Sequence, residues 1–346
     1  MSSSNKRVPI VDAPGYYYTF DPPPKDWNGF LSSFPGATVF QSPIIKQIWT
    51  NVPGYQSECL ALLHEDEIVG LVVYTIIREK GWKGAFSQRC IIMGGPLVKD
   101  LQSDWFRMLL RVFLSLPDVQ KAIYIEIRNT WPTIPDTKLL TPFDFHFYDH
   151  LNILIDLSAA ETQLAKQLHP KRAANIRRAR KKGVLVKEIE SESEWKTGYQ
   201  IIKKTYQRVN LPCPPPGLFL NLWKSGGQRA KGFGAFLNNR MIAVRFYLFS
   251  GQIIYDWYAG SDSRYHSYLP NDILPWEVMK WAKKKGFQIY DFGGAGRPGI
   301  PYGVRTYKER FGGKTVAPGR FIKVNRPFLY FLGKWGIRLY KLFRYV

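Results

Sequence analysis

The sequence predicts an α+β protein made of two tandem units, each a mixed sheet flanked by helices. Three observations lead there. A chain of 346 residues with 45% hydrophobic and 15% aromatic content can bury two ordinary cores. A hairpin, a helix and a strand follow one another over residues 59–129, and the same order recurs over 231–294.

In the first unit FQSPIIKQIWTNVP reads as a short helix, and CLALLHEDEIVGLVVYTIIRE as two strands split by the polar turn His64-Glu65-Asp66-Glu67. MGGPLV is a strand-to-loop passage, LQSDWFRMLLRVFLSL an amphipathic helix and AIYIEIRN a strand. In the second unit three strands turn at Asn238-Asn239 and Ser250-Gly251. NDILPWEVMKWAKKKG is then a helix with Pro275 near its start and Gly286 at its end, and FQIYDFGG returns as a strand. The rigid loop NLPCPPPG lies inside this unit.

Between the two units runs SAAETQLAKQLHPKRAANIRRARKKGVLVKEI. Ser158 and Glu161 have capping-box spacing, Pro170 divides two helical segments, and Gly183 ends the second before a strand. The helical stretch 159–182 is basic, and from Lys166 to Lys182 it carries eight Lys and Arg and no acid. A solvated helix face normally mixes signs, so Lys171, Arg172, Arg177, Arg178, Lys181 and Lys182 are expected to meet a polyanion.

The whole chain shares that bias: 49 Lys and Arg against 27 Asp and Glu leave a formal charge of +22. Nucleic acid, an anionic membrane face and phosphorylated substrates all suit it. Cys59, Cys90 and Cys213 form no CxxC pair, which argues against a disulfide framework and for a reducing compartment. MSSSNKRVPIVDAPG contains no apolar run, so no signal peptide is expected, and a cytoplasmic location is the default. No stretch has the length of a membrane span. In PFLYFLGKWGIRLYKLFRYV the cations Lys334, Arg338, Lys341 and Arg344 fall on one helical stripe opposite Phe, Leu, Trp and Tyr. Packing of this helix on the first unit, with partial contact to an anionic membrane, is expected.

Several motifs fail on context. Asp291-Phe292-Gly293 lacks the upstream HRD loop and strand lysine of a kinase, and GGAGRPG lacks the closing Gly-Lys-Ser/Thr of a P-loop. His146-Phe147-Tyr148-Asp149-His150 would need a helix to hold zinc, whereas its surroundings read as extended, so no metal is expected. Arg229-x-x-Gly232-x-Gly234 matches an acyl-CoA pyrophosphate pattern but opens a strand instead of a helix. With no Ser-His-Asp or Cys-His pairing, catalysis by positioning and positive charge remains. The place for it is the glycine-rich loop 293–313, with its basic knot of Arg305, Lys308 and Arg310.

The run IDLSAAETQLAKQLHPKRAANIRRARKKGV, with YDWYAGSDS, PNDILPWEVMKWAKKKG, YDFGGAG and YKERFGG, resembles the Fem-type (FemABX) peptidyltransferases and their GNAT-like relatives over about residues 30 to 325. The resemblance implies two GNAT-like units, 1–150 and 151–318, with 319–346 returning to the first and no coiled-coil arm. It implies transfer of an aminoacyl group from aminoacyl-tRNA to an amine of a peptidoglycan precursor, with no cofactor beyond that co-substrate. Lys308 matches the family's loop lysine and would be catalytic. Arg245 matches the arginine that holds the acceptor's diphosphate, and Arg305, Tyr302, Asp291 and Gly294 are further substrate-binding candidates. The lysine expected after Gln41-Ser42 is out of register, since Lys46 follows and Trp49 stands in its place. An N-acyltransferase that uses acyl-CoA on an amino sugar or lipid-linked polysaccharide precursor is the alternative. A non-catalytic RNA-binding relative is the third reading.

Overall fold

A computed structural model describes residues 6–34, 36–79, 81–129 and 137–342. It divides into one unit of Met1–Tyr148 with Gly319–Val346, and another of Asp149–Pro318. The side chains of Lys334, Arg338 and Lys341, and all of Arg344, lie outside the described part, and with them the expected cationic stripe.

In chain order the first unit has β1 Val8–Pro9, β2 Tyr16–Phe20, α1 Pro24–Ser32, α2 Pro43–Trp49, β3 Tyr55–His64, β4 Glu67–Ile77, β5 Arg89–Met93, β6 Leu97–Val98, α3 Trp105–Ser115, α4 Pro117–Lys121, β7 Tyr124–Arg128 and β8 His146–Tyr148. The second has β9 Asn152–Asp156, α5 Glu161–Gln167, α6 Pro170–Lys181, β10 Leu185–Ile189, α7 Glu192–Arg208, α8 Pro216–Ser225, β11 Ala230–Leu237, β12 Arg240–Ser250, β13 Ile253–Ser261, α9 Pro270–Lys284, β14 Ile289–Gly294, α10 Gly303–Glu309 and β15 Lys314–Val316. The chain then rejoins the first unit as β16 Arg320–Val324 and α11 Pro327–Leu342.

The first sheet runs β1-β2-β3-β4-β5-β7-β16-β8, with β6 on β4. Its core forms where α3 lays Phe106, Leu109, Leu110 and Phe113, one stripe at helical spacing, on the inward faces of β3 and β4. Gln41 is buried and donates to the carbonyls of Gly94 and Gly95 at 3.0 and 2.9 Å, while Trp49 stacks on Tyr55 at 4.4 Å. Lys46 pairs with Asp21. The Gln-Ser segment is thus built into the interior of this unit.

The second sheet runs β10-β11-β12-β13-β14-β9-β15. Asn238 and Asn239 both take left-handed φ (47° and 61°), the geometry of a two-residue hairpin that matches strand twist. The next turn occupies Gly251 and Gln252 instead of Ser250 and Gly251, because Ser250 still pairs with Ile253. Gly232 and Gly234 lie inside β11, where a Cβ would meet Ile189 at 2.6 Å and the Phe236 ring at 2.5 Å. Close packing accounts for that glycine pair.

Two helix starts differ from expectation. Helix α5 has Ala160 as its cap, and Ser158 instead gives its N–H and hydroxyl to Asp156 Oδ1 at 2.8 and 2.6 Å, closing a local turn before the helix begins. Helix α9 begins at Pro270, which places Pro275 inside it. A proline there has no N–H for the carbonyl four residues back, that of Asn271. Helix α11 rests Tyr330 on Tyr124 of β7 (rings 5.6 Å apart), but Phe328, Phe331, Leu332 and Trp335 are exposed, so its aromatic face is only partly packed.

Candidate active site

The site starts from a break in a sheet. Strands β13 and β14 pair in parallel through Ile253↔Ile289, Ile254↔Tyr290 and Tyr255↔Asp291, and the pairing stops there although both strands continue. Beyond that point carbonyls of β14 need other donors. The ammonium of Lys308, on α10, supplies them: it donates to Phe292 O and to Gly294 O, the latter at 2.8 Å. An ammonium carries three hydrogens, so one remains after the two carbonyls are served.

Asp291 ends the paired stretch and is 3% exposed, with Oδ1 accepting the Gly293 N–H at 2.6 Å. Burial pushes its carboxyl up to about 7, against the opposing pull of the Gly293 N–H and the Lys308 charge. Burial likewise pushes Lys308 down to about 8, helped by the Arg245 cation and opposed by Asp256 and Asp291. At neutral pH Lys308 is therefore mainly an ammonium, held rigidly and close to its titration point.

Beneath it lies a buried polar cluster. Arg245 on β12 forms an ion pair with Asp256 on β13, and gives Nη2 to the Tyr307 hydroxyl at 2.9 Å. Tyr290 donates to the same carboxylate at 2.9 Å and meets the Tyr247 hydroxyl at 3.1 Å. Tyr307 in turn donates to Asn271 O at 2.5 Å, the carbonyl that Pro275 leaves without its helical partner. Tyr307 thereby ties α10, and Lys308 one residue on, to the start of α9.

Arg245, expected on the acceptor's diphosphate, is 6% exposed and neutralised by Asp256. Its guanidinium is held inside the protein by Asp256 and Tyr307. Arg305 is likewise turned to the protein, holding Ala295 O at 2.8 Å and Arg297 O. Tyr302 is 44% exposed at the cap of α10, and its ring closes on Gly296, where a Cβ would come within 3.0 Å. Gly294 contributes its carbonyl to Lys308. Asp256, Tyr290 and Tyr307 escaped the sequence reading, although an Asp inside the apolar run IIYDWYAG was a visible signal.

The basic helix α6 splits by face. Lys171, Arg177, Arg178 and Lys181 are exposed and, among the described residues, pair with no carboxylate. Lys182 donates to Ser267 O at 2.8 Å and lies over the Tyr268 ring. Arg172 does not belong with them: it is 6% exposed, forms an ion pair with Asp272, donates to Tyr307 O at 3.0 Å and packs between the rings of Tyr307 and Phe311. Its place one turn from Ile176, on the stripe that continues to Ala179, turns it inward.

A profile of the Acetyltransferase (GNAT) domain family matches residues 170–309, which contain α6, β13, β14 and Lys308. A lipid II:glycine glycyltransferase of Staphylococcus haemolyticus is 33% identical over 69 residues, 19% of this chain and 16% of that protein. The Staphylococcus epidermidis protein of the same name aligns likewise, over 17% of its length. The chain thus matches about a sixth of the length of these curated relatives. Among solved structures FemX aligns with a TM-score of 0.69 at 16% identity, over 90% of this chain and 98% of its own. A tandem GNAT protein from the clavulanic acid pathway aligns at 0.58, with 9% identity over 89% and 98%. L-PGS from Bacillus licheniformis aligns at 0.56, with 14% identity over 88% and 93%. The chain has the two-unit GNAT-like fold, carries a GNAT-type acyltransferase domain, and resembles the Fem type.

Proposed function

We propose that this GNAT-fold acyltransferase of Fem type moves an aminoacyl group from aminoacyl-tRNA to an amine of a cell-wall precursor. The observation that carries the reading is the Lys308 ammonium, fixed by Phe292 O and Gly294 O where β13 and β14 part. In the reaction the acceptor nitrogen forms a bond to the ester carbonyl carbon, and the carbonyl electron pair moves onto oxygen. The remaining Lys308 hydrogen meets that oxyanion, a contribution of about 3 kcal/mol. Collapse breaks the ester bond; the ribose oxygen leaves and takes up a proton, while the acceptor nitrogen loses one. An aminoacyl ester is activated enough to need no strong base, which agrees with a site built on one cation.

Three further observations support the donor and acceptor. The exposed cations of α6 lie in the same unit as Lys308 and suit an RNA backbone. The link Asp262–Leu269 between β13 and α9 contains no glycine, and Gly232 and Gly234 are packed inside β11, so neither place offers an open glycine-lined helix start for a CoA pyrophosphate. The relatives of similar sequence are named for glycyl transfer to lipid II. Both substrates would be met at the cytoplasmic face of the membrane.

The test is transfer of a labelled amino acid in an extract supplemented with purified protein. RNase should abolish it, and Lys308→Met should lower kcat about a hundredfold or more while acceptor binding persists, because the ammonium acts on charge present mainly in the transition state. Transfer that survives RNase and responds to acyl-CoA would move the assignment to the acyl-CoA alternative. A Lys308→Met kcat within about threefold of wild type would remove Lys308 from the mechanism.

A further inference from the structure

We infer that helix α11 is a docking surface for an anionic lipid bilayer, on which it lies without crossing. The inference is independent of the reaction assigned above. Helix α11 uses one side to join the first unit: Tyr330 sets its ring on Tyr124, and just before the helix Asn325 and Arg326 give their N–H groups to Ile123 O at 3.0 and 3.1 Å. The other side is apolar and open. At about 100° per residue, Phe328, Phe331, Leu332 and Trp335 fall within an arc of about 100°, facing away from Tyr330. They are 74%, 61%, 50% and 49% exposed, and the Phe331 and Trp335 rings stand 5.9 Å apart.

Single exposed apolar residues are ordinary, whereas a continuous ridge of two phenylalanines, a leucine and a tryptophan marks a surface that meets something. Charge selects the occupant. From Arg326 to Val346 the sequence holds five Lys and Arg and no Asp or Glu, whereas Arg320 and Lys323 of β16 already pair with Glu126 and Asp144. A second copy would bring like charges together, while an anionic leaflet complements them and accepts Phe and Trp at its headgroup boundary. Among the described residues no helix is long and apolar enough to cross a membrane, which leaves the interfacial placement.

The experiment is co-sedimentation of the full chain at low ionic strength with phosphatidylcholine vesicles and with vesicles containing phosphatidylglycerol. Wild type should bind the anionic vesicles, and Phe328→Ser/Phe331→Ser/Trp335→Ser should weaken that partition roughly tenfold or more. Its melting temperature should not change, since these side chains face outward. Three results would overturn the inference: no binding by wild type, equal binding by the triple variant, or a dimer seen by light scattering that the triple variant dissolves.

Discussion

The two units use one design, a mixed sheet with a helix returning the chain to a parallel strand, yet they bury different chemistry. In the first unit β5 and β7 stay paired in parallel through four successive residue pairs, and the core under α3 is apolar. Its buried Glu126 is clamped on the sheet by Arg128, Arg320 and the Tyr148 hydroxyl. Burial acts to raise that carboxyl, and the two arginines and the tyrosine more than offset it, so the group lies below its usual range. In the second unit the equivalent parallel pair, β13 and β14, separates after Asp291, and the opening is filled by Lys308 over the Arg245–Asp256 pair. A closed sheet keeps its charges saturated. A parted one leaves an ammonium with a hydrogen to give and a carboxyl raised toward neutrality.

The contrast breaks most directly at the buried pair. Arg245→Met strands Asp256 in the interior and should cost about 3–5 kcal/mol. Glu126→Gln keeps an acceptor for Tyr148 and should cost the first unit only about 1–2 kcal/mol. Denaturant unfolding of both variants measures the difference; equal losses would mean that the second unit holds no special store of buried charge.

Titration sharpens the comparison next. The folded-state value of Asp291 is raised from 3.8 to about 7, so its contribution to stability is fully present below about pH 4 and is lost as pH rises through about 7. Wild type should therefore lose stability relative to Asp291→Asn across that window, by at most about 1.4 kcal/mol per pH unit. A pH-independent difference between the two proteins would show that Asp291 titrates normally.

The smallest expected effect concerns the proline gap. Tyr307→Phe removes the donor to Asn271 O and the acceptor for Arg245, and should cost about 1–3 kcal/mol. Pro275→Ala restores an N–H to the same helical turn, so the double variant should recover part of that loss. Strict additivity would indicate that Tyr307 and Pro275 do not share the carbonyl.

Much of this molecule was legible locally. The hairpins of β3–β4 and β11–β13 follow from apolar runs divided by turn residues, and α6 and α9 end near Gly183 and Gly286, whose φ of 80° and 86° suit glycine. The break at Pro170 and the extended His146–Tyr148 segment also depend on neighbours in sequence. Such features are set by side-chain period, backbone preference and turn chemistry acting over a few residues.

What each charge does was decided elsewhere. In KRAANIRRARKK, Arg172 is one cation among several, and its burial depends on Asp272, on Tyr307 135 residues away and on Phe311. Arg245 reads as a ligand-holding cation until Asp256 and Tyr307 are placed on it. Lys308 gains its position because two strands 36 residues apart in register separate at Asp291, and α10 brings its ammonium to the carbonyls of Phe292 and Gly294. A sequence specifies which residues are charged. Whether a charge is screened by water, cancelled by a partner or held poised at an opening depends on the dielectric and the donors around it, and those are assembled only when distant segments pack.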